Sequence, residues 1–486
     1  MSGSDYDLLV IGGGINGAGI ARDAAGRGLS VLLVERADLA NATSSASSKL
    51  IHGGLRYLEQ REFRLVAEAL AEREILLRIA AHLTVPMRFV MPHVPELRPR
   101  WMIRLGLFLY DHLARRSILP GSRSVRLDRP PFRDILRTEL RHGFTYSDCR
   151  VDDARLVIAN VHDAAARGAQ VRVRTECVSA RRVAGQWHVT FSNGNLVRVK
   201  AIANAAGPWA KQVLNERLGQ PSADELRLVR GSHILVPRLY EGEQAFILQN
   251  DDRRVVFLIP FEEAFTLIGT TDVPVMGDPT AAEATDAEVR YLCRAATRYL
   301  RTPVAPSQVV WRYAGVRPLY DDGTQDPSAV TRDYTLRIDD DQGEAPVLSI
   351  FGGKITTYRR LAEQAVDKLA RYFPRARTSW TAGTPLPGSD YRERGQAFAG
   401  IRACYPNVPG EVLGAVFRRH GTRAAAVLGD GRLGEHYGAG LTEREVRYFV
   451  ECEWARSAED VLWRRTKAGL HLDERQQARV RAVVAA

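Results

Sequence analysis

The run Gly12-Gly13-Gly14-Ile15-Asn16-Gly17 constrains this chain more than any other feature. It follows a continuous apolar stretch, Leu8 to Ile11, as expected of a parallel strand buried on both faces. Ala18, Ala21, Ala24 and Ala25 then recur at helical spacing, and a second apolar run, Val31 to Val34, ends at Glu35. Strand, G-x-G-x-x-G turn, helix, strand and terminal acid in that order predict a dinucleotide-binding unit. Gly12 serves the tight turn, Gly14 the close approach of a pyrophosphate, and Gly17 the packing of helix on strand. The helix N-terminus offers N–H groups and a positive dipole end to the phosphates. Glu35 is placed to accept hydrogen bonds from ribose hydroxyls, which favours NAD or FAD over NADP. The fingerprint alone does not separate NAD from FAD.

Three later features favour FAD. Thr43-Ser44-Ser45-Ala46-Ser47-Ser48-Lys49 supplies hydroxyls and N–H groups suited to a pyrophosphate or a flavin edge, its plainer reading being a solvated polar loop. Asn204-Ala205-Ala206-Gly207, fed by the stretch Val197 to Ala203, offers a second backbone approach to the same cofactor. Phe351-Gly352-Gly353-Lys354-Ile355-Thr356-Thr357 precedes a helical pattern through Leu361, Ala365 and Leu369. A helix N-terminus there, with Lys354 beside it, suits negative charge on the N1–C2=O2 side of a reduced flavin. The residues expected to face the cofactor are Gly12, Gly14, Ile15, Asn16, Gly17, Glu35, Arg36, Thr43, Ser44, Ser45, Ser47, Ser48, Lys49, Ala206, Gly207, Gly353, Lys354 and Thr356.

A chain of 486 residues exceeds one compact core and predicts two or three domains. Residues 61–80 and Val151–Arg167 read as helices, and Val171–Arg174 and Trp187–Phe191 as strands. Pro86, Pro92, Pro95 and Pro99 forbid regular helix and suggest edge strands or crossover chain. Residues 229–272 are strand-rich, Thr381–Ser389 is a Pro/Gly-rich candidate linker, and the tail is helical and charged. We expect an α/β cofactor domain from segments 1–85, 148–215 and 331–380, with a strand-rich substrate domain from 86–147 and 216–330. Residues 390–486 form the expected C-terminal helical domain.

The net charge of +11 favours anionic partners: nucleic acid, a phosphorylated small molecule or an acidic membrane surface. The arginines are scattered without a nucleic-acid motif, so nucleic acid is not expected. Five scattered cysteines, none in a C-x-x-C pair, suggest neither disulfides nor a metal site and fit a reducing cytosol. The first residues carry no secretory pattern, and no apolar stretch is long enough for a spanning helix. Trp101 to Tyr110, flanked by Arg98, Arg100, Arg115 and Arg116, reads equally as an interfacial helix or a buried core helix.

The run Ser44–Glu59, SSASSKLIHGGLRYLE, resembles the FAD-dependent glycerol-3-phosphate dehydrogenases, above all the bacterial aerobic, membrane-associated type. So do Val10–Gly19, Gly231-Ser232-His233, Gly269–Asp272, Gly315–Leu319, Thr331–Tyr334 and Phe351–Tyr358, and the likeness continues to Trp454–Lys467. The resemblance implies a glycine-oxidase-like fold: a Rossmann-like FAD domain, a substrate domain with an antiparallel sheet and a helical C-terminal domain. It also implies oxidation of glycerol 3-phosphate to dihydroxyacetone phosphate, with electrons passing to a membrane quinone. A homodimer attached peripherally to anionic lipid on the cytoplasmic side of the cytoplasmic membrane follows from the same likeness. The alternative is an oxidase that passes the electrons to oxygen.

A dianionic phosphate ester calls for planar bidentate donors, and Arg56, Arg317 and Arg332 are the candidates. The hydroxyl proton needs a base, for which His52 and His233 are candidates because imidazole titrates near neutrality. Arg317 stays protonated, so it serves the alkoxide or the phosphate. Tyr57 is expected to orient substrate, and Lys354 to serve flavin and substrate oxygen together.

Overall fold

The computed structural model describes residues 5–252, 254–321, 333–340 and 343–485, and its strands sort into two large sheets and one small hairpin. In the first sheet, β1 (Tyr6–Ile11) lies between β2 (Val31–Val34) and strand Leu196–Asn204, all parallel. Gln170–Arg172 extends the parallel order beyond β2, and Val347–Phe351 extends it beyond Leu196–Asn204. Strand Thr335–Asp339 and the hairpin of Cys177–Val183 with Gln186–Phe191 run antiparallel. The apolar run in β1 is explained by cover on both faces. Leu8 and Val10 meet α1 (Ile15–Gly26) and the helices Asp153–Ala166 and Tyr358–Leu369, while Leu9 and Ile11 meet Trp187, Val189 and Phe191 of the hairpin.

The second sheet is antiparallel apart from one parallel contact between Phe89–Val90 and Ala245–Phe246. Its strands alternate between two faces. Ile234 and Val236 pack with Leu292 and Ala296 of the helix Asp286–Thr297, whereas Leu235 and Leu267 pack on the side of the helix Arg100–His112. Prolines 86 and 92 sit inside strand Thr84–Pro92, which is internal to the sheet rather than at its edge. The strand tolerates them because its second partner engages only Phe89 and Val90, so both prolines lie where pairing is one-sided.

The Pro/Gly-rich stretch Thr381–Ser389 contains no helix or strand, yet it is a docked strap and not a loose linker. Arg22 donates to the Thr384 carbonyl at 2.9 Å, the Leu386 N–H donates to Ile79 O at 2.6 Å, and His82 Nδ1 lies 2.7 Å from Ser389 Oγ. Beyond it, helices Arg394–Cys404, Gly410–His420, Ala424–Leu428, Glu443–Cys452 and Glu474–Ala485 enclose a separate core that includes Val416, Leu441 and Phe449. This helical unit meets the first sheet's helices through buried charge. Arg155 pairs with Glu453, donates to the Arg419 carbonyl at 3.2 Å and lies 3.2 Å from His420 Nδ1. Within the helical unit, Arg419 pairs with Glu445 at 2.5 Å and His420 Nε2 lies 3.0 Å from Glu445. Among the described residues, no helix is long and apolar enough to cross a membrane.

Candidate active site

The carboxyl ends of β1 and β2 open onto a cavity of about 610 Å³ that runs toward the second sheet. Gly12 takes φ +113°, and a Cβ there would stand 2.5 Å from the Ala205 carbonyl, so only glycine lets the two strand ends meet. A Cβ on Gly17 would strike the Gly12 carbonyl at 1.9 Å, which confirms its packing role and explains why Gly17 does not line the cavity. Glu35 accepts hydrogen bonds from the N–H groups of Gly13 at 2.7 Å and Ala37 at 2.8 Å. Burial pushes its carboxyl above the ordinary value, against the pull of those N–H donors. Its neighbour Arg36 lies over the Trp209 ring at 4.0 Å and completes a flat wall.

The serine-rich loop is built differently from expectation. Ser44 Oγ accepts from the Ile15 N–H at 2.9 Å and so stands at the α1 N-terminus. Thr43 donates to Val316 O at 2.6 Å, Ser47 to Asp153 at 2.7 Å, and Ser48 Oγ lies 2.9 Å from His233 Nε2. These hydroxyls mostly tie the loop to its neighbours, although Thr43, Ser44, Ser45, Ser47 and Ser48 all line the cavity. Lys49 does not line it. Its ammonium is buried beneath the loop, 2.9 Å from both oxygens of Asp153 and 2.8 Å from Ser45 O, so it anchors the loop and does not face a cofactor. Asp153 was not singled out in the sequence. The tandem acids Asp152-Asp153 at a helix start were the available signal, since they read as a cap.

On the far side, Asn16 Nδ2 donates to Gly352 O at 3.2 Å and lies 3.1 Å from where a Gly353 Cβ would stand. Lys354 Nζ sits 3.8 Å from the centre of the Tyr57 ring. Thr356 Oγ1 accepts from the His52 N–H at 3.2 Å, joining this segment to the His52 loop. The next residue, Gly53, donates its N–H to Tyr110 Oη at 2.8 Å, and that hydroxyl donates to Asp148 at 2.7 Å. The helix Arg100–His112 thereby sets the height of the His52 loop.

His233 is buried and stacked on Tyr313 at 4.8 Å. Burial, helped by the Arg317 and Lys49 charges, drives its pKa well below the ordinary imidazole value, so the ring is neutral at pH 7. Arg317 is held by Asp272 at 2.6 Å and by Thr270 Oγ1 at 3.0 Å, and Arg56 approaches the same carboxylate at 3.9 Å. Asp272 therefore gathers both arginines, a role not assigned to it from the sequence. His52, Tyr57, His233, Arg317, Lys354 and Thr356 share the cavity with the fingerprint residues, with Ala206, Gly207 and Gly353 in the same wall. Arg56 does not line the cavity, although it approaches the carboxylate that holds Arg317, and Arg332 lies outside the described residues. Trp209, Thr175 and Glu176 also line the cavity without having been picked out. Trp209 had a signal, as the end of the Asn204–Trp209 turn, whereas Thr175 and Glu176 had none.

The residues present fit FAD. A left-handed glycine turn, a helix N-terminus, a carboxylate at the end of β2 and the buried Asn16 Oδ1, which has no partner among the described residues, all converge on one elongated space. Fold and site together define a flavin-dependent oxidoreductase. The family described as FAD dependent oxidoreductase matches residues 7–359, and the C-terminal domain of alpha-glycerophosphate oxidase matches residues 379–486. A glycerol-3-phosphate dehydrogenase of Pseudomonas aeruginosa is 52% identical over 484 residues, covering 98% of this chain and 94% of that one. A D-erythritol 1-phosphate dehydrogenase of Brucella abortus is 48% identical, covering 97% and 96%. The solved glycerol-3-phosphate dehydrogenase of Bacillus halodurans complexed with FAD superposes with TM-score 0.74 at 27% identity, covering 99% of this chain and 94% of that one. The chain belongs to the FAD-dependent glycerol-3-phosphate dehydrogenase family.

Proposed function

We propose that this enzyme oxidises sn-glycerol 3-phosphate at C2 to dihydroxyacetone phosphate and passes the electrons to a membrane quinone. The observation that carries the reading is the single cavity shared by the dinucleotide cradle and by His52, His233, Arg317 and Lys354. FAD, when bound, supplies the acceptor for the hydride at C2. Arg317, fixed by Asp272 and Thr270, presents a planar donor set for the phosphate or the developing alkoxide. A neutral His233, its ring steadied by Ser48 and Tyr313, is able to take the hydroxyl proton, and His52 on the same wall is the other candidate. Tyr57 orients the substrate, and Lys354 above its ring meets negative charge on flavin and substrate oxygens.

An anaerobic titration tests the chemistry. His233→Ala or His52→Ala should slow flavin bleaching by glycerol 3-phosphate by about 10²–10⁴-fold, the usual contribution of a positioned base. Near-normal bleaching in both variants would remove the histidines from the mechanism. Faster bleaching by D-erythritol 1-phosphate would overturn the three-carbon assignment. Reoxidation by a quinone analogue supports the dehydrogenase reading, whereas stoichiometric peroxide under air selects the oxidase.

The same reading includes a homodimer attached to anionic lipid on the cytoplasmic side of the membrane. It draws on the Arg100–His112 helix, which combines the two alternatives the sequence left open. Ile103, Leu107 and Tyr110 face the core, while Trp101 is 66% exposed, Leu105 51% and Phe108 50%. An exposed apolar ridge bordered by arginines suits the acyl–headgroup boundary. Trp101→Glu combined with Phe108→Glu should abolish flotation with anionic vesicles and leave soluble turnover intact. Unchanged flotation would place the contact elsewhere.

A further inference from the structure

The loop that follows β2 holds the ribose end of the cofactor site, and its fixed point lies in another domain. Glu35 faces the cavity, but Asp38, three residues on, is 1% exposed and does not line it. Between and beyond them the backbone closes onto the fingerprint. Ala40 N–H donates to Gly13 O at 3.0 Å, and Leu39 packs where a Gly13 Cβ would stand, 2.8 Å away. The neighbouring strand end completes the frame, with Arg174 N–H donating to Ala37 O at 2.9 Å and Thr175 N–H to Glu35 O at 2.8 Å.

Both halves of this frame are tied by ion pairs to one segment of the helical domain, Asp460–Arg465. The Asp38 carboxylate receives two parallel hydrogen bonds from Arg465, at 2.7 and 2.8 Å, and a third from Arg464 at 2.5 Å. Arg465 is 0% exposed and also donates to the Glu453 carbonyl at 2.6 Å. Arg174, on the second half, reaches Asp460 at 2.9 Å. A bidentate pair of this kind fixes direction as well as distance. With Asp38 held, Glu35 and Gly13 keep the relative position that their own hydrogen bond requires.

We propose that the helical C-terminal domain is a latch for the adenosine half of FAD, with Asp38, Arg464 and Arg465 as positioning residues that act through Glu35 and Gly13. None of the three contacts the cavity, so the latch governs cofactor retention and leaves the chemistry at the flavin ring to other residues. It rests on the FAD site alone and is indifferent to the identity of substrate or electron acceptor.

The test compares FAD dissociation from holoenzyme, followed by recovery of flavin fluorescence, with thermal unfolding of the same samples. Asp38→Asn and Arg465→Met should weaken FAD binding by about tenfold or more. Arg464→Gln, at the more accessible rim, should fold normally and give a smaller loss in the same direction. Arg419→Met breaks a buried ion pair elsewhere in the helical domain, so it should lower the unfolding midpoint without raising FAD dissociation. FAD retention at the unaltered level in Arg464→Gln and in whichever of the other two latch variants folds would overturn the proposal. Equal FAD loss in Arg419→Met would overturn it too, because general destabilisation would then suffice.

Discussion

An Arg317→Met enzyme is expected to keep its flavin and lose its grip on substrate. Truncating one partner of a desolvated, hydrogen-bonded charge pair costs about 2–5 kcal/mol, or roughly thirty- to several-thousand-fold in kcat/KM. The loss should be deeper than one missing contact, because Asp272 then loses the guanidinium that lies 2.6 Å from it and part of its charge goes unbalanced near the cavity. A carboxylate with less of its charge balanced repels a nearby phosphate dianion. Adding Asp272→Asn to Arg317→Met should therefore restore part of the lost kcat/KM, although Asp272→Asn alone is harmful. Lysine at position 317 should recover little, since a point charge cannot reproduce a planar fork held by Asp272 and Thr270. Steady-state kinetics and anaerobic flavin reduction on the four variants check this; identical values for the single and double variants would remove Asp272 from the account.

The second large effect concerns the docking of the helical domain. Glu453→Gln leaves Arg155 and His420 buried beside a neutral amide, where the parent places a carboxylate 3.0 Å from Arg155 Nη2 and 3.6 Å from His420 Nδ1. Breaking a buried pair by removing one partner is expected to destabilise by about 3–5 kcal/mol, read as a lowered unfolding midpoint. The same cluster sets the pH dependence. Burial opposes ionisation of Glu453 and Glu445, but Arg155 and Arg419 override it and hold both carboxyls down at about 2, against 4.5 in the unfolded chain. Their contribution is complete above pH 4.5 and disappears as pH falls toward 2. Burial holds His82 and His420 below the unfolded value of 6.5, with the Arg155 charge acting in the same direction. The folded state keeps them neutral while the unfolded chain takes up protons, so their contribution is complete above 6.5 and lost as pH falls below it. The unfolding midpoint of the parent should thus decline in two stages on acidification, first below 6.5 and again below 4.5. A midpoint that stays level from pH 8 to about pH 5 would contradict the histidine stage.

Features governed by neighbouring residues were legible in the chain itself. The glycine fingerprint, β1, α1, β2 and the acid at Glu35 depend on backbone conformation and side-chain period over about thirty residues, which local sequence dictates. The same holds for the helical pattern after Lys354, realised as Tyr358–Leu369 behind a short 3-10 turn, and for the strand-rich middle. Gly53 in the His52 loop serves packing within the protein, because a Cβ there would press into Leu70 at 2.6 Å.

Which charge meets which was decided by tertiary structure alone. With 68 basic and 57 acidic side chains, no spacing rule pairs Lys49 with Asp153, Arg317 with Asp272, or Asp38 with Arg465 across 427 positions. Those partnerships exist because the first sheet's crossovers, the second sheet's register and the docked strap bring distant segments to one place. Once there, a buried charge must find a counter-charge or leave its desolvation uncompensated. Local residue order alone specifies a cradle for a flavin dinucleotide. The folded chain determined that the cradle's ribose loop is braced from the helical domain and that its arginines are aimed by Asp272.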